Sequence, residues 1–254
     1  MAQNPTLVFV PGAWHTPEYW GKMVSILEAQ QYKCVTVALP TVSSNIETTL
    51  PDDVNAVREA ILAETTQGRN VVLVVHSYGG CVGASAMKGL TAKTQGESEN
   101  SGRVIGLFMI ATGFMVSGVT FLGHSGGKPP PFWDANYESG LAILTADTRE
   151  LFYHDLPEKE GKYWVGRLEN HSLKAFTTGA DVGYPGWKEV PCWFLATAED
   201  KALPIEVQGM FVQGAKDEGG DVTLREIATS HSPMLSKPKE AVSVLLEAVK
   251  AFTS

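Results

Sequence analysis

One turn after a buried strand constrains the fold of this chain most. Val71 to Val75 is a continuous apolar run, the residues at 76–80 are His-Ser-Tyr-Gly-Gly, and a segment rich in Ala, Gly and Val follows immediately. A short apolar run that ends in a glycine turn is typical of a strand with both faces buried. The order of strand, sharp turn and helix therefore predicts a sheet that is covered by helices.

The flanking sequence repeats this pattern. Thr6 to Val10 and Cys34 to Leu39 are further β-rich runs, whereas Glu18 to Gln30 and Asp52 to Glu64 carry apolar residues at helical spacing. Strands that alternate with amphipathic helices form right-handed βαβ crossovers, so we expect a mostly parallel sheet. We predict the remaining strands and the last helix at Val104 to Ile110, Cys192 to Ala196, Val222 to Ile227, and about Lys237 to Phe252.

The segment from 114 to 190 interrupts this rhythm. It is rich in Gly, Pro and aromatic residues where a short connection would be expected, and long connections in compact domains are usually functional. We interpret 114–190 as an inserted cap, and 1–113 with 191–254 as the core. Most cap aromatics should pack the cap onto the core, and the rest could roof a pocket. The polar stretch from Thr94 to Gly102 is predicted to be an exposed loop.

Composition narrows the kind of ligand. The chain has 254 residues and a formal net charge of -8, and its 20 basic residues are scattered rather than clustered. Because phosphate binding needs clustered Lys and Arg, no nucleic-acid partner is expected. The chain length is consistent with one domain, and the ligand should be small and not strongly anionic.

Cysteine usage and hydropathy bear on metals and location. Cys34, Cys81 and Cys192 lie far apart and form no C-x-x-C pair, so we predict free, buried thiols and no metal site. The chain has no signal-like start and no apolar stretch long enough to span a bilayer, so we expect no membrane partner and a cytoplasmic location. The oligomeric state, monomer or homodimer, stays open.

Ser77 is the candidate nucleophile. It lies on the sharp turn between strand and helix, where small neighbours are needed because the backbone is strained and crowded. Gly79 meets this need downstream, whereas Val75 stands where a second glycine is usual. A serine hydroxyl is a weak nucleophile, so it needs a nearby base that is itself oriented by an acid.

His231 is the candidate base, because it is the only histidine after the last predicted strand. In folds that present the nucleophile on a turn between a strand and a helix, the chain order is Ser, acid, His. The acid should therefore follow a strand between Ser77 and His231. Asp200 follows the strand at Cys192 to Ala196 and is the preferred acid; the adjacent Glu199 is kept as an alternative.

Two backbone amides should stabilise the developing oxyanion. The N–H of Tyr78 begins the helix after the nucleophile, and the second donor should come from the loop Pro-Gly-Ala-Trp-His at 11–15, where Ala13 is the predicted donor.

These segments resemble the methylesterase and hydroxynitrile lyase branch of the α/β-hydrolases over nearly the whole chain. The resemblance is carried by Phe-Val-Pro-Gly-Ala-Trp-His at 9–15, Val-Val-His-Ser-Tyr-Gly-Gly at 74–80 and His-Ser-Pro-Met-Leu-Ser-Lys-Pro at 231–238, although Pro11 stands where the family usually has His. It implies the α/β-hydrolase fold, a triad of Ser77, Asp200 and His231, and the oxyanion donors Ala13 and Tyr78. The lyases use a Lys directly after the catalytic His and a Thr in the first loop. Ser232 and Gly12 occupy those positions here, so cyanohydrin cleavage is not expected.

Three functions follow as hypotheses. The first is hydrolysis of a carboxylic ester, thioester or lactone of a small apolar metabolite, with no cofactor. The second is C–C bond hydrolysis or lactone rearrangement on the same triad, because one site on a fold supports several chemistries. The third is a small-molecule receptor with weak or no hydrolysis. The sequence does not identify the residues that bind the substrate.

Overall fold

A computed structural model describes residues 4–95 and 101–254. The central sheet has six parallel strands: β1 (Thr6–Val10), β2 (Cys34–Thr36), β3 (Val71–His76), β4 (Val104–Ile110), β7 (Cys192–Thr197) and β8 (Val222–Ile227). Their order across the sheet is β2-β1-β3-β4-β7-β8. β1, β3 and most of β4 are buried along their length, as expected for strands covered on both faces.

Helices connect the strands and cover the sheet. They are α1 (Gly21–Glu28), α2 (Leu50–Thr65), α3 (Gly79–Ala86), α4 (Ala92–Gln95), α8 (Ile205–Asp217), α9 (Pro233–Ser236) and α10 (Pro238–Phe252). Two predictions need correction. β2 ends at Thr36 rather than Leu39, and the predicted helix from Glu18 to Gln30 divides into a 3-10 turn, Pro17–Trp20, followed by α1.

The segment between β4 and β7 forms its own small structures. β5 (Trp133–Asn136) and β6 (Leu141–Leu144) pair as an antiparallel hairpin. Three short helices follow: α5 (Thr148–Phe152), α6 (Glu158–Val165) and α7 (Lys174–Thr177). Further 3-10 turns lie at Leu122–Ser125 and Gly186–Lys188. The division of the chain into core and cap stays a prediction.

Two glycines make room where α3 meets the sheet. A Cβ on Gly79 would lie 2.4 Å from the carbonyl oxygen of Pro11, and a Cβ on Gly83 would lie 2.6 Å from Cγ1 of Val75. Real Cβ atoms do not approach other atoms so closely, so a side chain at either position would force its neighbours to move. Gly83 thus explains how Val75 is tolerated. The glycine that makes room at this contact is on the helix, at Gly83, and not on the strand, at position 75.

Other sequence predictions concern thiols, the polar loop and the membrane. Cys81 and Cys192 are buried, but Cys34 is only partly buried, so the prediction of three buried thiols is wrong for Cys34. The predicted loop from Thr94 to Gly102 is wrong at its start, because Thr94 and Gln95 belong to α4, and its residues 96–100 lie outside the described residues. Among the helices that the structure describes, none is both long enough and apolar enough to cross a bilayer.

Candidate active site

Ser77 lies on a strained turn between β3 and α3. Its φ is 50°, in the left-handed region that residues other than glycine rarely adopt. The turn is held by the Ser77 N–H, which donates to the Ile110 carbonyl at 3.1 Å, and by the Thr112 hydroxyl, which donates to the Ser77 carbonyl at 2.5 Å. Ser77 is partly exposed while its neighbours His76 and Tyr78 are buried, so the turn presents one side chain to the cavity above.

His231 and Asp200 form a buried pair. Nδ1 of His231 lies 2.7 Å from Oδ2 of Asp200, and the two residues are 3% and 7% exposed. An ionised carboxylate only accepts, so Nδ1 carries the hydrogen and Nε2 is free to act as a base. Ser77 and His231 line the same cavity, but no hydrogen bond joins their side chains in this structure.

Several donors hold the Asp200 carboxylate. Oδ1 accepts from the amides of Ala202 and Leu203, each at 2.8 Å, and Oδ2 also accepts from the Thr197 hydroxyl at 2.7 Å. Burial opposes ionisation of Asp200, but His231 and these donors together lower its pKa below the ordinary value. Asp200 is therefore an ionised acceptor that orients His231. Glu199, by contrast, is exposed.

One predicted oxyanion donor, Tyr78, directly follows Ser77 in the chain, and the other, Ala13, lies in the loop after β1. Ala13 and Tyr78 both line the cavity that contains Ser77. Among the residues that the structure describes, neither amide pairs with another backbone group, so both remain available to an incoming oxygen.

A chain of buried hydrogen bonds links the first loop, the turn and the base. The Gly12 N–H donates to the Tyr19 hydroxyl at 3.0 Å, and this hydroxyl lies 2.9 Å from Nδ1 of His76. Nε2 of His76 lies 2.8 Å from the carbonyl of His231. Because a carbonyl only accepts, Nε2 carries the hydrogen and Nδ1 accepts from Tyr19. Burial lowers the pKa of His76 well below its ordinary value, so the ring is neutral.

The cavity above these residues has a volume of about 550 Å³. Its walls are mainly aromatic and aliphatic and come both from the segment between β4 and β7 and from the rest of the described chain. Within the described part of the chain, the lining contains no lysine or arginine, and Glu218 is its only carboxylate. Among the aromatic lining residues are Trp14, Phe114, Phe121, Phe132, Trp133, Phe152, Trp187 and Phe211. Such a surface suits an uncharged, mainly apolar molecule.

The structure thus brings together all five residues that the sequence singled out. Asp200 and His231 are hydrogen-bonded, and His231, Ser77, Ala13 and Tyr78 line one cavity. His76 and Thr197 also hold the site, although no role was predicted for them. Each lies within three positions of a predicted site residue, which is the only sign of its role in the sequence. In residues 4–95 and 101–254, no group of three or more His, Cys, Asp or Glu side chains is placed to hold a metal ion.

Comparison with known proteins identifies the family. The sequence model of the alpha/beta hydrolase family matches residues 7–244. The chain is also 31% identical over 248 residues to "Alpha/beta hydrolase nvfD" of Aspergillus novofumigatus (strain IBT 16806), covering 96% of each protein. This chain therefore belongs to the alpha/beta hydrolase family, and this membership, predicted from the sequence, is confirmed.

Solved structures agree on the fold. A methylesterase protein MES16 from Arabidopsis superimposes with a TM-score of 0.74 at 21% identity, covering 97% of this chain and 99% of that one. Tomato Methylketone Synthase I, complexed with 2-tridecanone, gives a TM-score of 0.76 at 18% identity, covering 99% and 100%. The predicted α/β-hydrolase fold is confirmed, and membership of the alpha/beta hydrolase family supports hydrolase activity.

Proposed function

We propose that this protein is a serine hydrolase that cleaves a carboxylic ester, thioester or lactone of a small, uncharged, mainly apolar metabolite. The observation that carries the proposal is the buried pair of Asp200 and His231, which opens onto the same cavity as Ser77 on its strained turn. A nucleophile, a base and an orienting acid in this order are the elements of acyl transfer through an acyl-enzyme.

The reaction follows from these groups. Ser77 Oγ attacks the acyl carbon while Nε2 of His231 takes its proton, and Asp200 stabilises the imidazolium that forms. The amides of Ala13 and Tyr78 bind the oxyanion of the tetrahedral intermediate, where loss of one such donor typically costs about 10² to 10³ in rate. His231 then protonates the leaving group, and water releases the acyl group by the reverse sequence. No step needs a cofactor.

The cavity supports the choice of substrate. A carboxylate-bearing substrate would find no lysine or arginine among the described lining residues, whereas an apolar acyl group would bury against aromatic rings. We further propose that residues 114–190 act as the cap of this site, because Phe121, Phe132 and Trp133 reach its lining. The methylesterase among the structural neighbours supports the ester side of the predicted branch.

An active-site-directed fluorophosphonate tests the proposal. Wild type should be labelled at Ser77 and should hydrolyse members of a panel of apolar esters, thioesters and lactones, and Ser77→Ala should lose both properties. Ser85→Ala is the matched control, because Ser85 is a buried serine on α3 whose hydroxyl donates to the Cys81 carbonyl at 2.7 Å. This variant should keep both properties.

Other outcomes would favour the alternative hypotheses. Turnover of a β-diketone without turnover of esters would indicate C–C bond hydrolysis on the same triad. A folded wild-type protein that binds ligands, resists labelling and hydrolyses nothing in the panel would contradict the proposal and favour the receptor.

A further inference from the structure

Asp53 is a fully buried carboxylate behind the predicted oxyanion site. It lies in the first turn of α2, and its Oδ1 accepts from the Thr41 amide at 3.0 Å. Its Oδ2 accepts from the Thr41 hydroxyl at 2.5 Å and from the Tyr78 hydroxyl at 2.8 Å. Burial raises the pKa of Asp53 to about 6, above its ordinary value of 3.8, although these donors favour the ion. No cation pairs with it among the described residues, so its role is not that of an ordinary ion pair.

His171 extends this cluster to the first loop. The Trp14 amide donates to Nδ1 of His171 at 3.1 Å, so in the neutral ring Nε2 carries the hydrogen. Burial lowers the pKa of His171 to about 3, which keeps the ring neutral. Nε2 lies 2.9 Å from the Thr41 hydroxyl, whose own hydrogen points to Asp53. Each hydrogen bond in this series, from the Trp14 amide through His171 and Thr41, is therefore donated toward the Asp53 carboxylate.

The peptide between Ala13 and Trp14 is fixed from both sides. Its N–H donates to His171, and its carbonyl lies 2.6 Å from Nδ1 of His15. Trp14 has a φ of 62°, which bulky side chains rarely adopt. The Trp14 carbonyl accepts from the Glu169 amide at 2.9 Å, and its indole N–H donates to the Ala142 carbonyl at 2.9 Å. Without its partners this backbone would relax, and the neighbouring Ala13 amide would turn with it.

We propose that Asp53 is a positioning residue for the oxyanion site, acting on Tyr78 directly and on the Ala13 loop through Thr41 and His171. This inference rests on the proposed function. Asp53 would thus position both oxyanion donors. Its hydrogen bond to the Tyr78 side chain anchors the residue whose amide is the first donor. The hydrogen bonds through Thr41 and His171, here called the relay, anchor the loop that supplies the Ala13 amide. Asp53 touches neither the substrate nor the reacting atoms in this scheme.

The rate at which a fluorophosphonate labels Ser77 measures the role of Asp53, because phosphonylation also develops negative charge on an oxygen in the oxyanion site. Thr41→Val and His171→Phe keep the approximate side-chain shape but remove hydrogen bonds between Trp14 and Asp53. Asp53→Asn places an NH2 group where the carboxylate accepts only from donors. Each should lower the maximal labelling rate by about 10- to 100-fold, with the half-saturating probe concentration changed less than about threefold.

Glu64→Gln is the matched control. Glu64 is a second buried acid on α2, 4% exposed, at the far end of the helix, where it accepts from the Thr6 hydroxyl at 2.7 Å. This variant should lower the thermal unfolding midpoint but leave the labelling rate unchanged. His171→Asn can still accept from the Trp14 amide through its Oδ1, so it should recover part of the rate lost in His171→Phe.

The outcomes separate this inference from the proposed function. If wild type is labelled and the folded relay variants label as fast as Glu64→Gln, Asp53 has only a structural role and the inference is overturned. The same conclusion follows if only the half-saturating concentration changes. If wild type is not labelled at all, the proposed function fails, and this inference fails with it. Should Asp53→Asn not fold, Thr41→Val and His171→Phe decide the question.

Discussion

The two ends of the central sheet use buried polar groups in opposite ways. Of the four non-glycine residues with positive φ in the described part of the chain, Trp14, Ser77 and Ala111 lie at the carboxyl end, and the fourth, Gln31, precedes β2. Buried histidines at the carboxyl end, such as His76 and His171, are neutral. At the amino end, Glu64 accepts from the Thr6 hydroxyl, from Lys33 and from Arg69, and the two cations are ordinary ion-pair partners. Backbone strain and desolvated groups therefore concentrate where the chemistry is proposed.

α2 reaches both ends and shows the contrast within one helix. Burial raises the pKa of Asp53 to about 6, whereas the pKa of Glu64 falls to about 2 because Arg69, Lys33 and Thr6 outweigh the effect of burial. The two carboxylates differ in the charge of their partners and not in chemical type. The amino end thus contributes stability, and the carboxyl end holds groups in place at a cost in stability.

The largest expected effect lies at the carboxyl end. Asp200→Asn should lower kcat for ester hydrolysis by about 10³- to 10⁴-fold, because the amide no longer fixes the His231 tautomer. The measurement is steady-state hydrolysis of an ester that wild type turns over. Glu199→Gln is the control, since Glu199 is the exposed neighbour of Asp200 and should leave kcat unchanged. Equal losses in the two variants would refute the assignment of the acid.

A smaller effect should separate the two ends by pH. His15 and His171 have an ordinary pKa of 6.5 that burial lowers to about 4 and about 3, so the folded state binds fewer protons than the unfolded state below pH 6.5. Their contribution to stability is present above pH 6.5 and is lost as the pH falls toward these values. For each group the free energy of unfolding should fall by up to about 1.4 kcal/mol per pH unit.

Two carboxylates modify this pH profile. The pKa of Asp53 is raised, so its contribution has the opposite sign and is lost as the pH rises from 3.8 to about 6. Glu64, with a pKa lowered from 4.5 to about 2, loses its contribution only below about pH 4.5. Urea unfolding from pH 7.5 to 3.5 should show that His171→Asn flattens the profile between pH 6.5 and 4.5. Glu64→Gln should change the pH dependence of the unfolding free energy only below about pH 4.5. A change between pH 6.5 and 4.5 in this variant would contradict the proposed difference between the two ends of the sheet.

Features carried by short stretches of sequence were predicted, whereas hydrogen bonds between distant segments of the chain were not. Strand periodicity, the turn at Ser77 and the chain order of Asp200 and His231 are local signals, and they led to residues that meet in the structure. Asp53 and His171 gave no such signal, because their partners come from other elements and are brought together only by folding. The helix predicted from Glu18 to Gln30 did not include the 3-10 turn, because apolar spacing does not distinguish the two helix types.

The smallest predicted effect concerns how the carboxyl end accommodates Val75. Gly83→Ala should destabilise the protein by about 1 to 3 kcal/mol, because its Cβ would meet Cγ1 of Val75 at 2.6 Å. Val75→Ala removes that Cγ1, so the double variant should recover part of the loss. Urea unfolding of the four proteins gives the coupling energy, expected at about 0.5 to 3 kcal/mol. Additive losses would mean that the two positions are independent. Coupling would instead show that the glycine missing from the strand side of the Ser77 turn is supplied by the helix, so that the strain of the turn is accommodated by α3.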